Sequence, residues 1–529
     1  MVRNDWCRGG SNPRMSHRRL PVLPWIWGWG AVVLAFPWSN AFMSVATGLL
    51  GLTALLKLLT IGSVDKKPDT RAKALSAAGL GLMLLVAWSG VSGLWGGSIA
   101  ECLHDVRVKL PLAAGGLAMM AMSRDKDGMP RKDLDTVLKL AVASAFAATI
   151  ALVVRDILDG GMLGGRQASR FISHIRFGLW WALLLPWVAN MLNRRWSLFC
   201  LIGAVTAWSW IQGLTGLMLG IVLIPWWWSG MANNAGSPIG ERNWPESRRI
   251  RKTAFSIVLL SLPFVVLVAW ALPTSLPDPA VLPEQTKEGA PYMHKLDRSV
   301  TENGYFIWTC ISWGELQAGW SRRSYIPMPE IQGALVRFLT SKDLSKDKDG
   351  VAALNDEEVA AIERGIPSVV ELKGSGWEKR WNRFKFNWGE WWDGRRSPDA
   401  SILARSVYAR IGFSAWLSLP PDRWVVGCGS GQVESVMDKA YAEQLPDWPA
   451  EGRKRPHFQY VTLLLGLGFV GVGLFLWILL AMWAHPPARP GILLIALSCL
   501  AEDTLETQAG VTLAFVGLAL GAFIHVRKS

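Results

Sequence analysis

Apolar runs long enough to cross a membrane recur along this chain of 529 residues, and they constrain its fold more than any other feature. A helix needs about 20 apolar residues to span the hydrocarbon core of a bilayer. With 51% hydrophobic residues, the chain carries more apolar side chains than one water-soluble core can absorb. The sequence therefore predicts an all-α polytopic membrane protein with about twelve transmembrane helices. The predicted spans are 22–38, 40–60, 75–96, 108–123, 134–157, 175–192, 196–211, 214–229, 254–272, 457–483, 490–501 and 510–526.

The distribution of positive charge predicts how these helices are oriented. The chain has a net charge of +14, and much of it lies in alternate short loops between the apolar runs. Because Lys and Arg collect in the cytoplasmic loops of membrane proteins, orientation among membrane lipids explains this charge better than nucleic-acid binding does. Both basic tails fall on the same side as the charged loops, which predicts cytoplasmic termini. The charged loops lie around 66–73, 124–132, 194–195, 242–252 and 489.

A long water-soluble segment separates the ninth predicted span from the tenth. It covers 273–456, and its length exempts it from the charge rule, so we expect it on the outer face of the membrane. Asp356 begins a predicted helix within it, because acidic residues favour a helix N-terminus. The expected organisation is a membrane domain over 1–272, a mostly helical periplasmic domain over 273–456 and a second membrane domain over 457–529.

One stretch of the long segment, Gly374 to Trp392, combines tryptophans with lysines and arginines and is predicted to be amphipathic. Tryptophan faces are suited to stacking on the apolar sides of sugar rings. The same composition is also typical of a segment that lies at the headgroup level of a membrane. The sequence leaves both interpretations open.

The sequence lacks the patterns of several common reaction centres. Its six cysteines stand singly, without the paired spacing that holds zinc. Cys310 and Cys428 share the predicted outer side, so a disulfide between them stays open. The chain contains no phosphate-binding glycine loop, dinucleotide-binding glycine pattern or serine-hydrolase elbow. We therefore expect neither a metal nor an organic cofactor.

Cations on the outer side are exceptions to the charge sorting, which makes them candidates for function. Arginine suits the binding of an anion, because its planar fork binds phosphate oxygens bidentately and keeps its charge. Two of these residues, Arg155 and Arg176, also fit an interpretation in which they extend from helix ends toward the interface. The outer cations are Arg107, Lys109, Arg155, Arg166, Arg170 and Arg176.

His457 stands where the long soluble segment meets the tenth predicted span. It follows Arg453, Lys454 and Arg455, which should lower the pKa of its imidazole and keep it neutral. A neutral histidine at a membrane surface is able to take a proton from a substrate. His174, at the start of the sixth predicted span, is the competing histidine, although a structural role also suits it.

Several short motifs follow one another in the parts of the chain that are predicted to lie on the outer side of the membrane. They are Ser173-His-Ile-Arg-Phe177, Asn303-Gly304-Tyr305 with Glu315-Leu316, Gly427-Cys-Gly-Ser-Gly431, the stretch at His457, and Glu502 to Gly510 between the last two spans. In this order they resemble the O-antigen ligase and polymerase family, in particular its ligase-like branch from Bacteroidetes-type bacteria. Each motif is weak alone, and the combination covers most of the chain from roughly residue 165 onward.

This resemblance implies a membrane-embedded glycosyltransferase of GT-C-like architecture in the bacterial inner membrane. Its donor would be a glycan on undecaprenyl diphosphate. Its acceptor would be a hydroxyl of lipid A-core, or of another surface glycan or a protein, at the periplasmic face. The reaction would need no metal and would invert the anomeric carbon, with the leaving diphosphate supplying the driving force.

The matching motifs also assign roles to individual residues. The resemblance makes His457 the general base or a group that orients the acceptor hydroxyl. It makes Arg410 a catalytic arginine that binds phosphate, since Arg410 precedes Gly427 at the family's spacing, while Arg405 lies more than one helical turn earlier. The residues implied to order the site or the acceptor are Gln459, Glu502 and Glu506. The residues implied to bind the diphosphate are Arg166, Arg170, His174, Arg176, Gly429 and Gly431.

Some alternatives remain open. The family usually has Asn after the histidine, whereas Phe458 and then Gln459 follow His457 here. The glycine turn fits either a backbone cradle for phosphate or a tight turn before a helix. A polymerase that joins lipid-linked repeat units would share the donor and the site and differ in its acceptor. Twelve helices also suit a transporter, although no internal repeat is visible.

Overall fold

The computed structural model of the protein describes residues 24–60, 68–125, 129–159, 171–233, 276–398 and 401–523. Helices make up most of this part of the chain, and its two short strands pair antiparallel. They are β1 (Thr301–Glu302) and β2 (Tyr305–Phe306). The prediction of an all-α protein is confirmed.

Eleven of the twelve predicted spans coincide with helices, and the twelfth, 254–272, lies outside the described residues. Among the residues described, four helices are long and apolar enough to cross a membrane: α2, α3, α5 and α18. The helices of the first part are α1 (Trp25–Ala35), α2 (Asn40–Thr60), α3 (Thr70–Ser92), α4 (Ile99–Arg124), α5 (Arg131–Leu158), α6 (His174–Met191), α7 (Arg194–Ile211) and α8 (Leu214–Asn233). Those of the last part are α18 (Gln459–Trp483), α19 (Arg489–Ala501) and α20 (Gln508–Ala522).

The helices of these two parts pack around one apolar core. α6 and α20 lie at its centre, because nearly every one of their side chains is buried. A helix that is apolar all round is stable when other helices cover it on every side. This packing explains how the 15 residues of α20, too short for a clear span, are accommodated within the bundle.

The insertion between α8 and α18 has two separate cores. Residues 276–398, here called the distal unit, form a core around Trp320, Leu335 and Phe338. Its helices are α9 (Trp313–Trp320), α10 (Met328–Ser341), α11 (Lys348–Ala352), α12 (Asp356–Glu363), α13 (Val369–Lys373) and α14 (Gly376–Trp392). The acidic start of α12 is confirmed, and Asn355 caps it with a reciprocal bond to Glu358.

Residues 401–458, here called the proximal unit, share their core with the membrane part. Their helices are α15 (Ser401–Leu417), α16 (Pro421–Val426) and α17 (Val433–Gln444). Ile411 and Tyr441 pack in one cluster with Leu465 of α18. The segment predicted as one domain over 273–456 thus contains two apolar cores, and that of the proximal unit includes Leu465 of α18. Cys310 and Cys428 lie in different units as free thiols, so the disulfide left open by the sequence is not formed.

α18 is broken near its middle, and the proximal unit fills the break. Gly468 has φ 65° and ψ −164°, a conformation that interrupts the helical hydrogen bonds. The carbonyls of Leu465 and Gly466 accept from the N–H groups of Cys428 (2.8 Å) and Gly429 (3.0 Å). Trp88 of α3 donates from Nε1 to the carbonyl of Leu467 at 3.1 Å. Neighbouring elements thus complete the backbone bonding of a discontinuous apolar helix.

Candidate functional site

The loop 502–507, between α19 and α20, gathers side chains from five other elements of the structure. α19 ends at Ala501, and Thr507 caps the start of α20 by accepting from the N–H of Gly510. Side chains from α4, α6, α15, the start of α18 and the segment before it converge on the acidic residues of this loop. We call this arrangement the loop site.

Glu506 is the most heavily bonded residue of the loop site. Its Oε2 lies 2.8 Å from Lys109 Nζ and 3.1 Å from Arg455 Nη1, and its Oε1 accepts from Gln459 Nε2 at 3.1 Å. Burial alone would raise the pKa of this carboxyl, but Lys109 and Arg455 outweigh burial and lower the pKa to about 2. Gln459 also accepts from the N–H of Leu505, so it fixes the shape of the loop.

Arg455 joins three elements through one guanidinium. It contacts Asp105 of α4 at 3.3 Å, Glu434 of α17 at 3.1 Å and Glu506 at 3.1 Å. Burial acts to lower the pKa of Arg455, and the three carboxylates raise it further than burial lowers it. The guanidinium is therefore charged and locked in place, which makes it a part of the scaffold.

Asp503 fixes the backbone at His457. Its Oδ2 accepts from the N–H of His457 at 3.1 Å, and its Oδ1 accepts from the hydroxyl of Thr462 at 2.6 Å. Burial raises the pKa of Asp503 to about 6. His457 adopts φ 51°, in the left-handed region that most residues avoid, so its conformation depends on this support.

The imidazole of His457 is held between Asp503 and the ring of Tyr408. Nδ1 lies 4.0 Å from Asp503 Oδ2, too far for a hydrogen bond, and the Tyr408 ring centre is 5.6 Å away. The side chain is 33% exposed. Its partial exposure lets a substrate group reach the ring.

The pKa of His457 is lowered, as the sequence predicts, but the causes differ. Burial is the largest cause; Glu502 opposes it, and Arg405, Arg176 and Lys454 lower the pKa further. Arg455, expected to act on the imidazole, is instead neutralised by three carboxylates. The imidazole is consequently neutral over more of the acidic range than an exposed histidine.

Arg176 reaches from α6 to the loop 502–507. Its Nη2 donates to the carbonyl of Asp503 at 3.0 Å and its Nε to Thr507 Oγ1 at 3.3 Å. With 4% exposure, it does not extend to an interface, so the alternative role as a helix-end arginine is wrong.

From α15, Arg405 reaches the loop 502–507, whereas Arg410, which the sequence favours, does not. Its Nη2 lies 2.5 Å from Glu502 Oε1, an ion pair without hydrogen-bond alignment. Arg410 is exposed on another face of α15 and makes no ion pair or hydrogen bond within the described chain. A shift of five residues rotates a helical side chain by more than a third of a turn, which spacing along the sequence did not resolve.

The glycine turn is packed tightly against protein on both sides. The N–H groups of Cys428 and Gly429 are bonded to α18, and that of Ser430 donates to Ser92 Oγ at 3.0 Å. A side chain at Gly429 or Gly431 would meet the backbone of α3 and α4 or the segment between them at 2.6 Å. Because Gly429's N–H is already engaged, the geometry favours the tight turn before α17 over the phosphate cradle.

Several buried polar atoms around the loop site have no hydrogen-bond partner within the described chain. They are Nη1 of Arg176, Nε of Arg453, Nδ1 of His457, Oε1 of Glu502 and Nε2 of Gln508. Native proteins leave few such atoms, and each one needs an explanation, such as a catalytic role or a bound group. Glu502 Oε1 is an acceptor that lies beside the guanidinium of Arg405. The other four atoms are donors or a titratable nitrogen, which suits an anionic ligand with oxygen acceptors.

The remaining predicted residues fall partly inside and partly outside the site. His174 begins α6 and is half-buried, whereas Arg166 and Arg170 lie outside the described residues. The sequence analysis missed Asp105 and Thr462. A carboxylate and a lysine four residues apart in α4, Asp105 and Lys109, are the sequence signal that points to Asp105. The described residues hold no cluster of His, Cys, Asp and Glu suited to a metal.

No known protein family and no curated protein matches this chain.

Proposed function

We propose that the protein is a membrane-embedded glycosyltransferase that moves a glycan from a lipid-linked diphosphate to an acceptor hydroxyl. The observation that carries this proposal is the group of unpaired buried polar atoms around His457 and Arg176, beside an apolar helix long enough to span a membrane. Positive charge and a neutral base at the end of such a helix suit a substrate that is anionic and lipid-borne.

His457 is the general base in this proposal. With its proton on Nδ1, facing Asp503, the imidazole has a free lone pair on Nε2. The acceptor oxygen attacks the anomeric carbon and forms the new C–O bond, while Nε2 takes the hydroxyl proton. The bond from that carbon to the diphosphate oxygen breaks, and the diphosphate leaves with the electron pair. A single displacement of this kind inverts the anomeric carbon.

Two arginines stabilise the leaving diphosphate. Nη1 of Arg176 is an unpaired buried donor, and Arg405 is held near the same loop by Glu502. Charge that develops on an oxygen in a water-poor site is stabilised most by donors already in place. Arg405 takes the part that the resemblance gives to Arg410, while Lys109 and Arg455 are neutralised and order the loop.

The proposal includes the setting that the sequence implies. Twelve spans in the bacterial inner membrane, with cytoplasmic termini and a periplasmic insertion, would bring undecaprenyl diphosphate-linked glycan to the loop site. The acceptor is lipid A-core, another surface glycan or a protein. A polymerase would use the same groups with a second lipid-linked repeat unit as its acceptor.

The break in α18 favours a transporter, since discontinuous helices form the ion sites of many transporters. The carbonyls at the break in α18 are bonded to Cys428, Gly429 and Trp88. Because these carbonyl oxygens already accept hydrogen bonds, they are poor ligands for a transported ion. The glycosyltransferase gives a role to the loop site, which a transporter leaves unexplained, so we prefer it.

The test is the envelope glycolipid profile of a gene-deletion strain complemented with wild type or a variant, at matched protein levels in the membrane. We expect His457→Gln and Arg405→Gln to leave long-chain glycan on its lipid diphosphate and the acceptor uncapped. Lys439→Gln, on the exposed side of α17, is the control and should restore the wild-type profile. Arg410→Gln separates the two arginines, because geometry predicts that it retains activity.

Three outcomes would count against parts of this proposal. Full rescue by His457→Gln would exclude it as the base. Accumulation of single repeat units would identify a polymerase. An unchanged glycolipid profile in the deletion strain would overturn the glycosyltransferase itself.

A further inference from the structure

The distal unit contains a cavity of about 570 Å³ that belongs to none of the elements of the loop site. It lies between α10, α14 and the segment that follows α14. Its volume falls in the range of small-molecule sites and suits one or two sugar rings. Phe386, Glu390 and four arginines are among the residues that line it. The arginines are Arg337, Arg383, Arg395 and Arg396.

Three of these arginines are anchored in the same manner. Each uses Nε and Nη2 on a carboxylate: Arg337 on Glu302 at 3.0 and 2.8 Å, Arg383 on Glu371 at 2.9 and 2.5 Å. The third, Arg395, binds Glu390 at 2.5 and 2.7 Å. Their Nη1 groups have no hydrogen-bond partner within the described chain. Fixed guanidinium groups with spare donors lose little conformational entropy when they bind a ligand.

The carboxylates lie behind the arginines. The side chains of Glu302 and Glu371 are 1% and 4% exposed, whereas that of Arg383 is 67% exposed. The positive ends of these pairs are therefore the ones that a ligand meets. Glu390, which also lines the cavity, is already engaged by both donors of Arg395.

Arg396 differs from the other three because it pairs with no carboxylate in the described chain. Its guanidinium lies over the ring of Trp391, with Cζ 4.9 Å from the ring centre. Phe386 is the aromatic ring in the cavity wall, and Arg337 lies on one of its faces. Arginines beside aromatic rings combine the donors that a carboxylate needs with surfaces that the C–H side of a sugar needs.

We propose that this cavity binds a carboxylate-bearing saccharide of one or two units, recognised by the free edges of the four arginines. The choice of a saccharide over other organic anions rests on the proposed function, because an enzyme that transfers glycans meets them at this face. The site is a place to hold the glycan away from the reacting carbon and takes no part in the transfer.

The test is isothermal titration of the full-length protein in detergent micelles with three probes: a diuronic acid, the corresponding neutral disaccharide and inorganic phosphate. We expect the diuronic acid to bind, and Arg396→Gln to weaken its binding about tenfold, because one charge-assisted pair is lost. Arg364→Gln, an exposed arginine at the end of α12, is the matched control and should leave binding unchanged.

The outcomes separate this inference from the proposed function. Diuronic acid binding that persists in His457→Gln supports the cavity whether or not transfer occurs. Equal binding of the neutral disaccharide, or phosphate binding as tight as that of the diuronic acid, would overturn the saccharide site. So would an equal loss in Arg364→Gln and Arg396→Gln, or no binding of the diuronic acid by a wild-type protein that unfolds cooperatively.

Discussion

The distal and proximal units of the insertion hold their charges in different ways. In the distal unit an arginine typically rests on one carboxylate, as Arg383 does on Glu371, and one partner remains in contact with water. Where the proximal unit meets the loop 502–507 the charges are shared, since Glu506 binds two cations and Arg455 binds three carboxylates. Pairs of the first kind are separable, whereas removal of one member of the shared network exposes several others.

This difference shows what stabilises each unit. A buried charge is destabilising unless its partners are all in place, so a shared network forms as a whole or not at all. Such a network fixes the relative position of α4, α17, α18 and the loop 502–507, which is what a site with defined geometry requires. The distal unit relies on its own apolar core and needs no such agreement between distant parts of the chain.

The largest effect should come from Glu506→Gln. The change keeps the shape but leaves Lys109 as a buried cation and removes one of the three carboxylates of Arg455, which should cost about 3–5 kcal/mol of stability. Glu371→Gln in the distal unit should cost about 1 kcal/mol, because Arg383 turns to water. Unfolding of the purified variants in detergent, followed by heating or denaturant, measures both. Equal losses would contradict the contrast between shared and paired charges.

The break in α18 gives the next largest effect. At Gly468 an added side chain combines a left-handed φ with a contact to the carbonyl of Val425, so Gly468→Ala should cost about 2–3 kcal/mol. Gly365→Ala in the distal unit has a similar φ in open space and should cost about 1 kcal/mol. Gly473→Ala, also in open space, controls for alanine in the same helix. The same unfolding assay applies, and a neutral Gly468→Ala would mean that the break is not required.

A smaller effect concerns the pH dependence of glycan transfer. Because the pKa of His457 is lowered, the base stays neutral below its ordinary value of 6.5, and activity should fall only as the pH drops through the lowered value. Lys454→Gln removes one of the charges that lower the pKa, so the acidic limb should move upward by less than about one pH unit. Transfer rates measured between pH 5 and 8 locate the acidic limb of the pH profile. A shift of this limb to lower pH in Lys454→Gln would contradict the assignment of His457 as the base.

The smallest effect is expected at the surface of the distal unit. Lys287 and Asp349 form a pair at 3.2 Å with side chains 88% and 45% exposed. Lys287→Gln should change stability by less than about 0.5 kcal/mol, because water and salt screen such pairs. A loss comparable to that of Glu506→Gln would remove the distinction between the two units.

Much of the fold was predictable because apolar runs and helix caps are local signals. The eleven helices, the start of α12 and the amphipathic α14 all follow from neighbouring residues. The division of the insertion was not predictable, because the core of the proximal unit depends on Leu465, which belongs to the next membrane helix. No local pattern reports which of two units an apolar side chain will join.

The sequence predicted several residues of the candidate site, but it did not predict which of them contact one another. His457, Arg176, Gln459 and Glu506 all meet at the loop 502–507, as the motifs indicated. The partner on α15 was misplaced, since helix rotation decides between Arg405 and Arg410. Contacts that join residues hundreds of positions apart, such as Asp105 with Arg455, depend on packing that sequence spacing does not encode.

The hydrogen bonds from the glycine turn to α18 set an order of assembly. Carbonyl groups left bare in hydrocarbon each cost several kcal/mol, so the break at Gly468 is stable in a membrane after donors have arrived. Those donors come from Cys428 and Gly429, which the ribosome delivers before α18, and from Trp88 of a helix made much earlier. The proximal unit must therefore fold before α18 reaches its final form, because its glycine turn supplies the donors that complete the helix following it in the chain.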